Sequence, residues 1–139
     1  MGQVHLIKLC VGVDSVEELM DYEAHRGPTY PVHTRQTPKR AAELLDGGSL
    51  YWVIKGVILC RREIVDIESF EAADSPTGLP LCHIHVSSKP IFTEAMPRRP
   101  FQGWRYLNLK DAPRDIRDPR DAGDLPPDMV AALKEAGAW

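Results

Sequence analysis

PKRAAELLDGGSLYWVIKGVILCRR, running from Pro38 to Arg62, changes its periodicity twice and so decides the fold. Its first part reads as a short helix. Thr37 offers a cap, Pro38 suits the first helical position because its missing N–H would be unpaired there anyway, and Ala41, Leu44 and Leu45 form an apolar face. Gly47 is the expected stop. From Leu50 to Ile54, and again from Val57 to Cys60, both alternating faces are apolar, the pattern of central strands covered on two sides. Lys55 and Gly56 between them read as a tight turn, although one long strand with a glycine bulge has the same sequence signature. Trp52 alternates with Leu50 and Ile54 and is assigned to the core, whereas Tyr51 shares the other face with Val53 and Lys55 and is assigned to the surface.

Upstream, Val4 to Val11 reads as a first strand with His5 and Lys8 interleaved. A helix follows, capped by Asp14 or Ser15 with Glu17 or Glu18 closing the box, carrying Val16, Leu19, Met20 and Glu23 at helical spacing and ended by Gly27 and Pro28. Residues 26–40 hold Pro28, Pro31 and Pro38, several basic side chains and no acid, and are expected to be an irregular surface loop. Downstream, Arg61 to Ile67 continues a strand with its charges toward solvent. Ser69 to Pro80 is a loop, Leu81 to Ser87 a strand, and Phe101 to Leu109 a last strand after a proline-fenced stretch.

This order implies an α+β fold: one domain over residues 1–110 with a mixed, curled sheet or partly open barrel, flanked by two short helices. Residues 111–139, rich in Asp, Arg and Pro, form a polar C-terminal extension with a short helix over Asp128 to Ala136. Leu44, Leu45, Trp52, Ile54, Ile58, Ile64, Ile84 and Val86 are the expected core.

With 139 residues, 43% of them hydrophobic, the chain suits one domain. A net charge of −3 gives no bulk attraction to nucleic acid or anionic lipid, so any such binding needs a local patch. Cys10, Cys60 and Cys82 are odd in number and lack metal-type spacing, which points to free thiols in a reducing cytoplasm. No run approaches the roughly 20 apolar residues of a membrane span.

The runs KRAAELL from Lys39, DGGSLYWVIKG from Asp46, PFQGWRYL from Pro100 and HLIKLCVGVDSVEEL from His5 resemble an uncharacterised bacterial family known only as a domain of unknown function. The resemblance implies a single cytoplasmic domain and brings no activity with it. Asp46-Gly47-Gly48 before Tyr51-Trp52, with Phe101-Gln102-Gly103-Trp104 later, is also similar to PUA-like domains of the EVE and ASCH branches. Those are curled-sheet modules that often bind RNA or modified bases. The chain departs from them in its acidic net charge and in lacking a short Gly-x-Lys loop.

Two blocks set cations beside aromatic rings: Pro38 to Arg62, and RRPFQGWRYL from Arg98 to Leu107. Such a surface suits a planar, anionic ligand, the cation meeting phosphate while the ring stacks. The candidate ligand-binding residues are Lys39, Arg40, Tyr51, Lys55, Arg98, Arg99, Trp104, Arg105 and Tyr106, expected to converge on one concave surface. The leading reading is a binding module for a nucleotide, modified base or single-stranded nucleic acid, without a cofactor. Two alternatives stand beside it. One is a small enzyme in which Lys39, Arg40 or Glu43 works with His83 or His85 in acid-base chemistry. The other is an interaction domain for an acidic partner or for the chain's own Asp-rich tail. No catalytic triad is legible. His83 and His85 share one face of a strand, but Glu94, Asp66 and His33 stand at no diagnostic offset as a third ligand, and no metal is expected.

Overall fold

The computed structural model describes residues 4–89, 91–99 and 101–116. Eight strands form one mixed sheet: β1 (Val4–Leu9), β2 (Thr29–Thr34), β3 (Ser49–Ile54), β4 (Val57–Phe70), β5 (Leu81–Ser87), β6 (Ile91–Pro97), β7 (Trp104–Asn108) and β8 (Asp115–Ile116). Two helices, α1 (Val16–Ala24) and α2 (Ala41–Leu45), lie between the early strands. The path runs β2-β5-β4-β3-β1-β7, with β6 joining β4 and β8 joining β6; among the described residues it does not close into a barrel. Among the described residues only the β1–β3 pair is parallel, as its long crossover through α1, β2 and α2 requires.

The hairpin at the centre forms as read. Ile54 pairs with Val57, and Lys55 and Gly56 both take positive φ, 51° and 79°, which matches the twist of a two-residue hairpin. All six residues of β3 are buried. α1 also forms as read: Ser15 caps it by accepting from the Glu18 N–H, and Glu18 in turn accepts from the Asp14 N–H at 3.1 Å.

Other expectations are corrected. Residues 29–34 are a strand, not a loop: β2 is an edge strand, so Pro31 faces no missing ladder bond. Ile91–Pro97, inside the proline-fenced stretch, is also a strand. α2 begins at Ala41 with Arg40 in the cap position; Thr37 instead donates to Ser69 Oγ. Leu44 is fully buried but Leu45 is 42% exposed, because five residues of helix present only one side chain to the sheet. Gly48 makes this junction close: a Cβ there would overlap the Leu44 carbonyl oxygen. The other expected core residues, Trp52, Ile54, Ile58, Ile64, Ile84 and Val86, are buried. Asp115–Ile116 pairs with β6, and Pro113 is buried. The helix expected over Asp128 to Ala136 lies outside the described residues.

Two apolar clusters occupy opposite faces of the sheet. The larger holds Leu6, Leu50, Trp52 and Ile54 with Val16 and Leu19 of α1 and Leu44 of α2. The smaller holds Ile7, Tyr51, Val53, Ile58 and Leu107. β4 serves both because its register shifts twice, near Leu59 and at Val65. An extra residue inverts the inside–outside alternation downstream. Thus Ile64 points inward, and beyond Val65 it is Ile67 that packs on the core while Asp66 and Glu68 are exposed.

Candidate functional site

The basic-aromatic residues divide between the two faces. Trp104 and Tyr106 lie on the larger cluster, while Leu107 belongs to the other, so Arg105 between them turns away from both rings. The Arg105 guanidinium lies 6.0 Å from the Phe101 ring centre. Tyr51, expected at the surface, is 4% exposed and edge-on to His5: its face of the hairpin is covered by β7 and Met96, a layer invisible to local alternation. Lys55 is at the hairpin turn in an exposed ion pair with Asp14. Lys39 and Arg99 are exposed, and Arg98, anchored by its N–H to the Gly56 carbonyl, lines a shallow groove with Tyr106 and Lys110.

Arg40, Trp104 and Tyr106 do come together, and they spend their polar groups on one another and on the loop. The Arg40 N–H donates to the Tyr106 hydroxyl at 3.1 Å, and the Arg40 guanidinium lies over the Tyr106 ring and pairs with both oxygens of Glu43. That pairing holds the Glu43 carboxyl below its usual range. Trp104 Nε1 donates to the Gln36 carbonyl at 2.8 Å. These contacts fasten residues 36–40 to β7. No hydrogen bond or ion pair among the described residues links Lys39, Arg40 or Glu43 to His83 or His85.

A better-equipped cleft lies on the same face. Register aligns Lys8 of β1 with Trp52 of β3 on one side and Trp104 of β7 on the other, so a lysine stands between two tryptophans in one cross-strand row. Lys8, Cys10, Leu19, Tyr22, Tyr30 and Trp52 line a cleft of about 400 Å³ that opens beside α1 and β2. Among the described residues, two donors here are unmet or poorly met. Lys8 forms no salt bridge among the described residues, and burial lowers its pKa. Trp52, 6% exposed, keeps its indole N–H buried with no well-aligned hydrogen bond among the described residues, the Tyr30 hydroxyl being the acceptor turned toward it. A buried unmet donor is costly in a folded chain and marks a place where something can be accepted. The Cys10 thiol is pushed up to about 12, chiefly by burial, so the cleft supplies no thiolate at neutral pH.

Sequence reading missed Lys8 as a site residue. The signal was present: Lys8 has the parity of Val4 and Leu6, the inward positions of β1, where a cation is out of place.

His83 and His85 face outward on β5, as alternation requires. The carboxylate that no sequence offset revealed as a third member of the group is Glu68, directly opposite His83 in the β4–β5 register, and His33 is opposite His83 on the other side. Among the described residues no helix is long and apolar enough to cross a membrane.

No curated protein and no solved structure was found to match the chain, so the likeness to PUA-like domains gains no support from known folds. The family described as "Protein of unknown function (DUF1489)" matches residues 6–139, and the chain belongs to it.

Proposed function

We propose that the protein is a binding module whose site is the cleft around Lys8 and Trp52, and that its ligand is a planar small molecule carrying an anionic group, of mononucleotide size. The observation that carries this reading is a half-buried ammonium with no ion pair among the described residues, in one cleft with a buried indole N–H that the Tyr30 hydroxyl meets only in poor alignment. Their common complement is an anion or a strong acceptor, held where low local polarity strengthens the attraction. Tyr22, 48% exposed, supplies ring surface for the planar part, with the buried Tyr30 and Trp52 as the apolar wall behind it. A volume of about 400 Å³ suits a small molecule, which favours a nucleotide or modified base over a strand of nucleic acid. Recognition without chemistry fits an inert Cys10, and a reducing cytoplasm of a bacterium fits three cysteines present as free thiols.

The test is a titration of the full chain with mononucleotides and free bases, read by tryptophan fluorescence and native mass spectrometry. Binding should weaken about tenfold or more in Lys8→Met, the loss of one charge-assisted contact. Trp52→Phe, which removes the N–H and keeps a ring, should weaken it by a smaller factor. Equal affinity in wild type and Lys8→Met, or no binding by wild type, would remove the cleft reading.

A further inference from the structure

We propose that Glu68, His83 and His85 form a site for one divalent transition-metal ion of the zinc class, on the outward face of the sheet and separate from the cleft chemistry. One ligand atom from each of the three side chains lies within 4.8 Å of the others. Tetrahedral zinc, with bonds of about 2.0 to 2.2 Å to imidazole nitrogen and carboxylate oxygen, needs ligand atoms roughly 3.3 Å apart. Small side-chain rotations cover that difference, because all three residues stand on adjacent, directly paired strands.

The arrangement is built by the sheet. Alternation puts both histidines on one face of β5, and pairing puts Glu68 across from His83. Glu68 reaches that face only because of the extra residue at Val65, which inverts the alternation of β4 after Ile64. Without it, Glu68 would share the inward parity of Cys60, Arg62 and Ile64.

Glu68 and His85 alone would read as a hydrogen-bonded pair, with Oε1 2.5 Å from Nε2. His83 goes beyond that. Its Nε2 is shielded from solvent and has no hydrogen-bond partner among the described residues. The rings of His33 and Phe70 stand edge-on against it, with centroids 4.4 and 4.9 Å away, and close off water from either side. In one tautomer this nitrogen is a lone pair without a donor, in the other an N–H without an acceptor; a metal ion satisfies the first. Two imidazoles and a carboxylate select borderline divalent ions over calcium or magnesium. Glu68 is 48% exposed and His85 23%, so three protein ligands leave a coordination position facing solvent. That is the composition of sites that hold or activate a small molecule, in contrast to closed structural zinc sites.

The experiment uses the full chain, stripped with a chelator, dialysed and then titrated with zinc alone, with bound metal counted by elemental analysis. Cobalt substitution gives a visible spectrum that reports imidazole and carboxylate coordination. Wild type should take up about one zinc per chain. Loss of an outer-sphere partner costs about 10- to 100-fold in metal affinity, so His83→Ala and Glu68→Ala should each weaken binding by roughly 100-fold or more. Glu68 is exposed, so its variant keeps the fold even if His83→Ala does not, and His25→Ala serves as a control that should bind like wild type. No zinc uptake above background in wild type, or uptake unchanged in Glu68→Ala, overturns the proposal.

Discussion

Arg62 Nε and Nη2 each lie 2.7 Å from an oxygen of Glu23, in a bidentate pair with side-chain exposures of 0% and 3%. The pair joins α1 to β4 through the larger core. Tyr30 completes it, donating to Glu23 Oε2 at 2.6 Å, and Arg62 Nη1 donates to the Arg61 carbonyl, so few polar atoms remain unmet. The Tyr30 hydroxyl is driven far above its ordinary pKa by burial and by this bond to Glu23, and it is a donor at any physiological pH.

Breaking a buried pair by deleting one partner leaves the other charge uncompensated, at a cost of about 3 to 5 kcal/mol. Glu23→Ala and Arg62→Ala should each lose that much in urea denaturation. Tyr30→Phe removes one hydrogen bond to a charged acceptor and should lose about 1.5 to 3 kcal/mol. A loss below about 1 kcal/mol in either alanine variant would mean that the pair is not buried in solution.

The acid limb of stability should report His5. This side chain is 5% exposed, and its Nδ1 accepts from the Ser49 N–H at 2.9 Å, which places the ring proton on Nε2 and fixes the neutral form. Burial first, then the Arg61 charge, lowers its pKa from 6.5. As pH falls below the ordinary histidine value, the unfolded chain therefore takes up a proton that the folded chain refuses. Stability should decline from about pH 6.5 downward until the folded-state pKa is reached, and be level in this respect above about pH 6.5. His5→Asn keeps an acceptor near Nδ1 and does not titrate. Its urea midpoint should change less between pH 7 and pH 5 than that of wild type, and an equal or steeper change would assign the acid sensitivity to other groups.

What could be read from sequence was local. The β3–β4 hairpin announces itself because its strands are apolar on both faces and Lys55-Gly56 is a turn, and α1 because Ser15 and Glu18 close its first turn. β2 and β6 were hidden by prolines that are harmless at an edge or a strand end. Arg62 was assigned to solvent because nothing nearby in sequence shows that Glu23 will meet it 39 residues away. The same reason hid the cleft and the Glu68–His83–His85 group. Both depend on which strand lies beside which, and the second also depends on an unpaired residue at Val65 that no periodicity predicts.

Lys8 separates folding from function most directly. It stands in the row between Trp52 and Trp104, half-buried and with no carboxylate partner among the described residues, and burial depresses its pKa, so its charge works against the folded state at neutral pH. The sign follows from linkage: the folded chain binds the Lys8 proton less tightly than the unfolded chain, so this residue lowers stability wherever both forms are charged. A methionine of similar length keeps the apolar stem in contact with Trp52 and removes the charge. Lys8→Met should therefore raise the free protein's stability, by about 1 kcal/mol, while weakening ligand binding. Thermal unfolding with and without saturating mononucleotide measures both effects in one series. Wild type should gain from ligand, and Lys8→Met should start higher and gain little. A Lys8→Met protein less stable than wild type would mean that the ammonium already has a partner in solution, and the cleft would lose the unpaired charge on which its ligand chemistry rests.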